Sequence, residues 1–352
     1  MTGRSDRPRA DQSALVARFL TFAERECAGV SPLYGALARR AAMDTELHAL
    51  ARRAPAVQPT PNQLFAAVHY LLRRDGRGDP LARYYPNLSA RPAAPEEAFP
   101  AFKAFCRRHA AVISRLMETR VVATNEAGRA ACLLPAFGLA ARELGPFHLV
   151  EVGAAAGFNL LWDRFAYDYG GGRLVGAQDA ALALYCRVRG TPPPIPEILP
   201  CPLSRQGIDP FPVDVRRAEE ADWLRALVWP EAAERAERLA RAIELARAAL
   251  PTIHRGEANR ILPGILSDLP AGEALLVVHT FTLNQFTAAA RDRFESRLRA
   301  ASRDRPVERL ALEWGASAAP ELRRIAYRGG RRRGETLLAL ADAHGAWIDW
   351  RG

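Results

Sequence analysis

One lysine, Lys103, stands among 49 basic residues, and arginine supplies the rest. A formal net charge of +10 would point to a polyanionic partner if the charge were gathered into a patch interleaved with aromatic rings. The densest cluster, Arg328 to Arg333, instead encloses Gly329 and Gly330, has no aromatic residue inside it, and reads as a solvated turn between strands. Nucleic acid is therefore not the expected partner. Cysteine is scarce as well. Cys27, Cys106, Cys132, Cys186 and Cys201 are odd in number and never form a C-x-x-C pair, which argues against a disulfide framework and a structural zinc site. Reduced, mostly buried thiols are expected, and with no H-x-x-x-H spacing no metal is expected. No apolar run approaches the ~20 residues that span a bilayer. The start, Met1 to Gln12, is polar without an apolar h-region. A soluble, cytoplasmic protein is the expectation.

What is present suits a packed globular chain. Of 352 residues, 49% are hydrophobic and 25% charged, enough for roughly two domains. The first, residues 1–145, reads as all-helical. Val16, Phe19, Leu20 and Ala23 recur at helical spacing, and so do Phe99, Phe102, Cys106, His109, Ile113 and Leu116. Thr60 and Gln63 make a capping-box pattern, with Pro61 at the first helical position of a stripe of Leu64, Phe65, Val68 and Leu72. Such stripes are core, because a helix gains most of its stability by packing one face. His69, His109 and the tryptophans Trp223, Trp229 and Trp350 are read as packing residues.

At Phe147 the pattern changes to α/β over residues 146–352. A short apolar run ends in Glu151-Val-Gly153 and continues through Ala155 and Gly157 into a helical stretch from Phe158 to Phe165. A strand, a small-residue turn and a helix in that order offer backbone N–H groups to a polar ligand at the strand end. The dinucleotide pattern G-x-G-x-x-G is missing. An acidic residue followed by G-x-x-x-G instead resembles the first motif of class I S-adenosylmethionine-dependent methyltransferases, and that resemblance implies S-adenosylmethionine as cofactor. Asp209, closing a second strand, is the candidate ribose binder, since a carboxylate accepts from both hydroxyls of a diol. Glu257 ends a third short strand near where the adenine would sit. Ala274 to Thr280 is a buried strand, followed by a helix from Asn284 to Ala301, a strand from Val307 to Trp314, and a closing pair near Thr336 to Leu340 and Trp347 to Trp350. This order predicts a mostly parallel α/β sheet with an antiparallel edge, and the resemblance to methyltransferases implies that it is a Rossmann-like methyltransferase sheet. Residues 167–204 are an insertion, a hairpin and a Pro-rich loop, over the pocket. If that hairpin holds the second strand, Asp168 replaces Asp209, and both placements are open.

Thr124-Asn125-Glu126-Ala-Gly128-Arg129, the Glu151 to Leu161 stretch with Asn159, Asp163 to Gly170, Gly207-Ile-Asp209, Trp223 to Pro230 and Val277-Val-His279 together resemble the bacterial family called domain of unknown function 2332, over nearly the whole chain. The chain departs from the expected pattern at Thr280 and Glu257, where serine and aspartate would stand. The resemblance implies a methyltransferase-like protein acting on an unidentified small molecule, or a binding or scaffold module of the same fold without turnover. His279, at the end of a buried strand, is the candidate general base; a histidine that ties two loops together is the competing reading. Asn125 and Glu126 are further catalytic candidates, with Glu126 and Arg129 equally a local helix pair at i, i+3. Arg129, Tyr167 and Asp168 are the candidate substrate contacts, and Glu151, Gly153, Ala155, Gly157, Asn159, Asp209 and Glu257 the candidate cofactor contacts. Asp163 and Arg164 are expected to hold Tyr167 to Gly170.

Overall fold

A computed structural model describes residues 12–172, 174–176 and 179–352; most of the polar start, and Arg173 of the expected hairpin, lie outside the described residues. The chain forms two compact units. One holds the chain up to Thr124 together with Ala218–Glu237, the other Asn125–Arg217 with Arg238–Gly352.

The first unit is helical. It holds α1 (Gln12–Thr21), α2 (Pro32–Ala41), α3 (Thr45–Ala51), α4 (Thr60–Arg74), α5 (Ala98–Arg108) and α6 (Ala110–Thr119). The chain leaves through α7 (Arg129–Leu144) and returns as α8 (Ala218–Leu227). Ser31 caps α2 by accepting from Tyr34 N–H, with Pro32 at the first helical position. Asp44 caps α3 through the N–H groups of Glu46 and Leu47 and binds Lys103 Nζ at 2.6 Å. The capping box expected at Thr60 and Gln63 does not form. Pro59 is the N-cap, and Gln63 Nε2 donates to the carbonyls of Met117 and Arg120 at 2.9 and 2.6 Å, satisfying the C-terminus of α6. The single stripe expected from Phe99 to Leu116 is two helices that break at His109, whose ring lies 4.3 Å from that of Phe105. Phe65 sits among Phe19, Phe22, Tyr34 and Phe102, all fully buried. His69 is buried too, bonded to Ala226 O and Asn87, and burial pushes its pKa down to about 3, so it packs as a neutral ring.

The second unit is built on a nine-stranded sheet among the described residues. The strands are β1 (Phe147–Val152), β2 (Ala166–Asp168), β3 (Leu174–Gly176), β4 (Ala183–Tyr185), β5 (Arg187–Gly190), β6 (Ser204–Asp209), β7 (Thr252–Arg255), β8 (Ala274–Thr280), β9 (Val307–Glu313), β10 (Glu321–Arg328), β11 (Arg331–Ala341) and β12 (Trp347–Trp350). The large sheet runs β5-β12-β11-β10-β9-β8-β1-β6-β7, and β3-β2-β4 form a separate small sheet. Strands β7, β6, β1, β8 and β9 are mutually parallel, and β10 to β12 add an antiparallel edge. Every residue of β1 and β8 is buried, as expected of central parallel strands covered on both faces; Ala274 to Val278 of β8 is a continuous apolar run, whereas β1 carries His148 and Glu151 among its apolar residues. Helices α9 (Ala233–Ala249), α10 (Ala258–Asp268) and α11 (Ala288–Ala301) follow β6, β7 and β8 in the chain. From β1 the chain proceeds to β6 and β7 on one side, then to β8 and β9 on the other, so the order reverses between β1 and β8. That is the switch point at which open α/β sheets take ligands.

The open placement of the second strand is decided for Asp209, and two expectations need correction. Asp168 ends β2 in the small sheet, and the strand beside β1 ends at Asp209. The segment after the glycine turn is a 3-10 helix, Phe158–Arg164, interrupted at Leu161, too short to present a helix dipole to an anion. Asp163 does not hold Tyr167 to Gly170; it takes a bidentate bond from Arg205 at 2.5 and 2.9 Å.

Candidate functional site

The turn after β1 depends on left-handed backbone. Gly153 has φ +79° and Gly157 φ +76°, with Ala155 between them at φ +48°. A Cβ at residue 153 would lie 2.1 Å from Thr282 Oγ1, and one at residue 157 would lie 2.7 Å from Pro251 Cγ, so only glycine fits either place. For Ala155 the conformation costs about 1–3 kcal/mol, and neighbouring polar groups hold it there. Its N–H donates to Asp209 Oδ2 at 2.9 Å, and Asn125 spans the turn by accepting from Ala156 N–H at 3.2 Å and donating to Ala154 O at 3.4 Å. Asp209 Oδ1 accepts from Phe211 N–H at 2.7 Å. Both Asp209 oxygens are thus engaged with backbone, each with a second lone pair left. Burial raises the Asp209 pKa against the pull of these two amides.

Glu151 stands one residue before the end of β1 and is fully buried. Asn159 Nδ2 donates to its Oε1 at 2.8 Å; its Oε2 and the Oδ1 of Asn159 have no hydrogen-bond partner. Burial pushes the Glu151 pKa up to about 8, with Asn159 and Arg129 opposing the rise and Asp209 adding to it. Near neutral pH this carboxyl holds its proton. A buried acid with one oxygen unmatched, at a switch point and beside a strained turn, is the combination expected of a binding site.

The residues before α7 hold this end of the sheet in place. Glu126 Oε1 accepts from Arg238 Nε at 2.8 Å and from Gly128 N–H at 3.1 Å. A Cβ at residue 128 would lie 2.3 Å from His344 O. Arg129 donates to Ala343 O at 3.0 Å and to Thr280 Oγ1 at 3.1 Å, and its guanidinium carbon lies 4.5 Å from the ring centre of Phe281. Phe281 follows β8 at φ +52°, a strained conformation for a bulky residue. Two left-handed non-glycine residues, Ala155 and Phe281, therefore follow the two strands that flank the switch point.

His279 does not reach the crevice. Leu275, Val277 and His279 alternate along β8, and the first two pack in the cluster that holds Phe294 and Leu298 of α11. The His279 ring meets Phe294 edge-on at 6.4 Å and is 1% exposed. Its Nδ1 donates to Glu313 Oε1 at 2.7 Å, the same oxygen that accepts the N–H groups of Thr282 and Leu283. Burial lowers its pKa despite that carboxylate, and its Nε2 is enclosed without a partner. The ring thus ties the β8 loop to β9, and the general-base expectation gives way to the structural one. Tyr167 is buried with its hydroxyl on Trp162 O. Asp168 turns its own hairpin by accepting from Gly170 N–H at 2.7 Å, and Glu257 is exposed at the N-cap of α10. Of the residues singled out from sequence, the fold gathers Asn125, Arg129, Glu151, Gly153, Ala155, Gly157, Asn159 and Asp209. It adds Thr280, named from sequence only as a departure from the family pattern, and Phe281, Thr282 and Glu313, which no motif marks.

The five cysteines are free thiols, with Sγ of Cys132 and Cys186 3.9 Å apart in the interior. Among the described residues no group of His, Cys, Asp or Glu is placed to hold a metal ion, and no helix is long and apolar enough to cross a membrane. A cavity of about 720 Å³ in the helical unit, lined by Tyr70, Arg74, His109, Arg115 and Arg120 among others, contains none of the candidate catalytic, cofactor or substrate residues. The site above rests instead on strain and unmatched polar atoms. A family model described as an uncharacterized protein conserved in bacteria matches residues 16–350. No curated protein and no solved structure matches the chain.

Proposed function

The chain belongs to that bacterial family, domain of unknown function 2332, and from this premise we propose that it binds S-adenosylmethionine at the carboxyl ends of β1, β6 and β8 and methylates a small molecule. The observation that carries the reading is the unpartnered Oε2 of buried Glu151, placed beside the Gly153 to Gly157 turn at the switch point. An ammonium such as that of the methionine moiety is the partner such an oxygen lacks, and its charge would draw the carboxyl back into its ionised form. The turn brings backbone close to the ligand where side chains would block it. The Asp209 oxygens keep one lone pair each for a ribose diol, so the residues fit the group. The cofactor supplies an activated methyl on a sulfonium; this chain's residues bind and orient it.

One observation favours binding without turnover. His279 is sealed in the interior and Glu126 is paired with Arg238, so neither is free to take a proton from an acceptor. Calorimetric titration with S-adenosylhomocysteine, with NAD as control, tests the shared part of both readings. Binding of the first and not the second is expected, and no heat at millimolar S-adenosylhomocysteine sinks both.

A further inference from the structure

Two exposed aromatic side chains bracket the switch point. Phe211, 55% exposed, lies two residues beyond Asp209 at the end of β6. Trp314, 54% exposed, is the first residue beyond β9. The strands between them are β1 and β8, so the two rings stand on opposite sides of Glu151 in the sheet order. Phe211 is on the Asp209 side. Trp314 is on the other, in contact with Phe281 at 5.9 Å between ring centres and 58° between planes.

The Trp314 and Phe281 pair is held from behind. Phe281 N–H donates to Leu312 O at 2.9 Å, which fixes its backbone at φ +52°, and the Arg129 guanidinium covers its ring while bonding Thr280. A bulky residue is kept in left-handed backbone, braced by a cation, and paired with a tryptophan left open to solvent. Strain of this kind concentrates at ligand clamps, and tryptophan offers a large flat surface at low conformational cost.

We infer that Trp314, backed by Phe281, is a stacking platform and that the small molecule acted on at this site carries a planar aromatic ring. The inference names the substrate class for the site assigned above and, as a substrate statement, rests on that assignment. Trp314 is a specificity-determining residue in this scheme, and nothing in it requires a protein base.

The test compares 2-naphthol with decahydro-2-naphthol, which share a carbon skeleton and a hydroxyl but differ in planarity. Affinities come from saturation-transfer NMR titration of the full chain, native and as Trp314→Leu and Trp314→Phe, with circular dichroism as a check on folding. The native protein should prefer the aromatic probe at least tenfold, Trp314→Leu should bind the two within about twofold, and Trp314→Phe should recover part of the preference. Equal affinities in the native protein, or an undiminished preference in folded Trp314→Leu, overturn the inference. The same samples are titrated with S-adenosylhomocysteine. Failure of that ligand with the naphthol preference intact removes the cofactor reading and leaves the ring site standing; the converse removes the ring site alone.

Discussion

Strand β1 carries a polar side chain near each end, and the two ends treat it differently. At its start His148 is buried with both ring nitrogens engaged, one on Ser204 Oγ at 2.7 Å and the other on Glu273 Oε2 at 2.5 Å. Toward its finish Glu151 is buried with one oxygen unmatched, two residues before the turn that Gly153, Ala155 and Gly157 hold in left-handed backbone. Both environments are enclosed, so burial alone does not separate them. What separates them is completeness: the amino end has its hydrogen bonds filled and serves cohesion, while the carboxyl end keeps capacity that only a further molecule can use.

The largest effect is expected where that contrast is sharpest. Gly153→Ala places a methyl 2.1 Å from Thr282 Oγ1 at a φ of +79°, and should lower stability by about 3 kcal/mol in urea unfolding, from strain and overpacking together. It should also abolish S-adenosylhomocysteine binding. Next come the two histidines. His148→Ala leaves Ser204 and Glu273 without their partner and should cost about 2 kcal/mol while the ligand's affinity stays within twofold in calorimetry. His279→Ala should cost a similar ~2 kcal/mol, by releasing Glu313 and the loop amides from their clamp. A stable His279→Ala protein that has lost all turnover would restore the general base and break the contrast.

Smaller effects sharpen it. Asp209→Asn removes one acceptor oxygen and should weaken ligand binding by about 1.5 kcal/mol, whereas Asp168→Asn should leave it unchanged, because β2 lies outside the large sheet. Glu151→Gln should weaken ligand binding yet change the pH profile of stability in a defined direction. Native Glu151 moves from an ordinary 4.5 to about 8 on folding, so the folded state holds a proton that the unfolded chain has lost between those values. Stability should therefore fall as pH rises from about 4.5 to 8 and level off above. Glu151→Gln should flatten that slope, and denaturation midpoints at pH 5, 7 and 9 measure it. An unchanged slope means that Glu151 is not the titrating group.

Much of this was legible in the sequence. A continuous aliphatic run announced β8, the short apolar set Phe147, Leu149 and Val150 announced β1, and the Glu151 to Gly157 spacing located the turn. β10 was not, because Arg323 and Arg324 give it a polar pattern; Arg324 is matched across the strands by buried Glu308 at 2.6 Å, a partner no local pattern reveals. The place of His279 could have been read from strand parity, since it shares a face with Leu275 and Val277 and must point with them. Gln63 does not cap its own helix, because a capping box and a long-range bond to Met117 and Arg120 compete for the same side chain. Glu313 and Trp314 carry no motif and become visible only once β9 lies beside β8.

Strand β5 pairs in parallel with β12 and not with any strand near it in the chain. Arg187–Gly190 precedes its partner Trp347–Trp350 by more than a third of the chain and has no place in the large sheet without it. Such non-local pairing slows folding, and during synthesis it leaves an unpaired edge that invites association between chains. Arg187 and Arg189 are charged sentries on that waiting segment. Arg189 finishes with its guanidinium 3.9 Å above the ring of Trp347, so the residue that keeps the edge soluble while it waits becomes part of its closure.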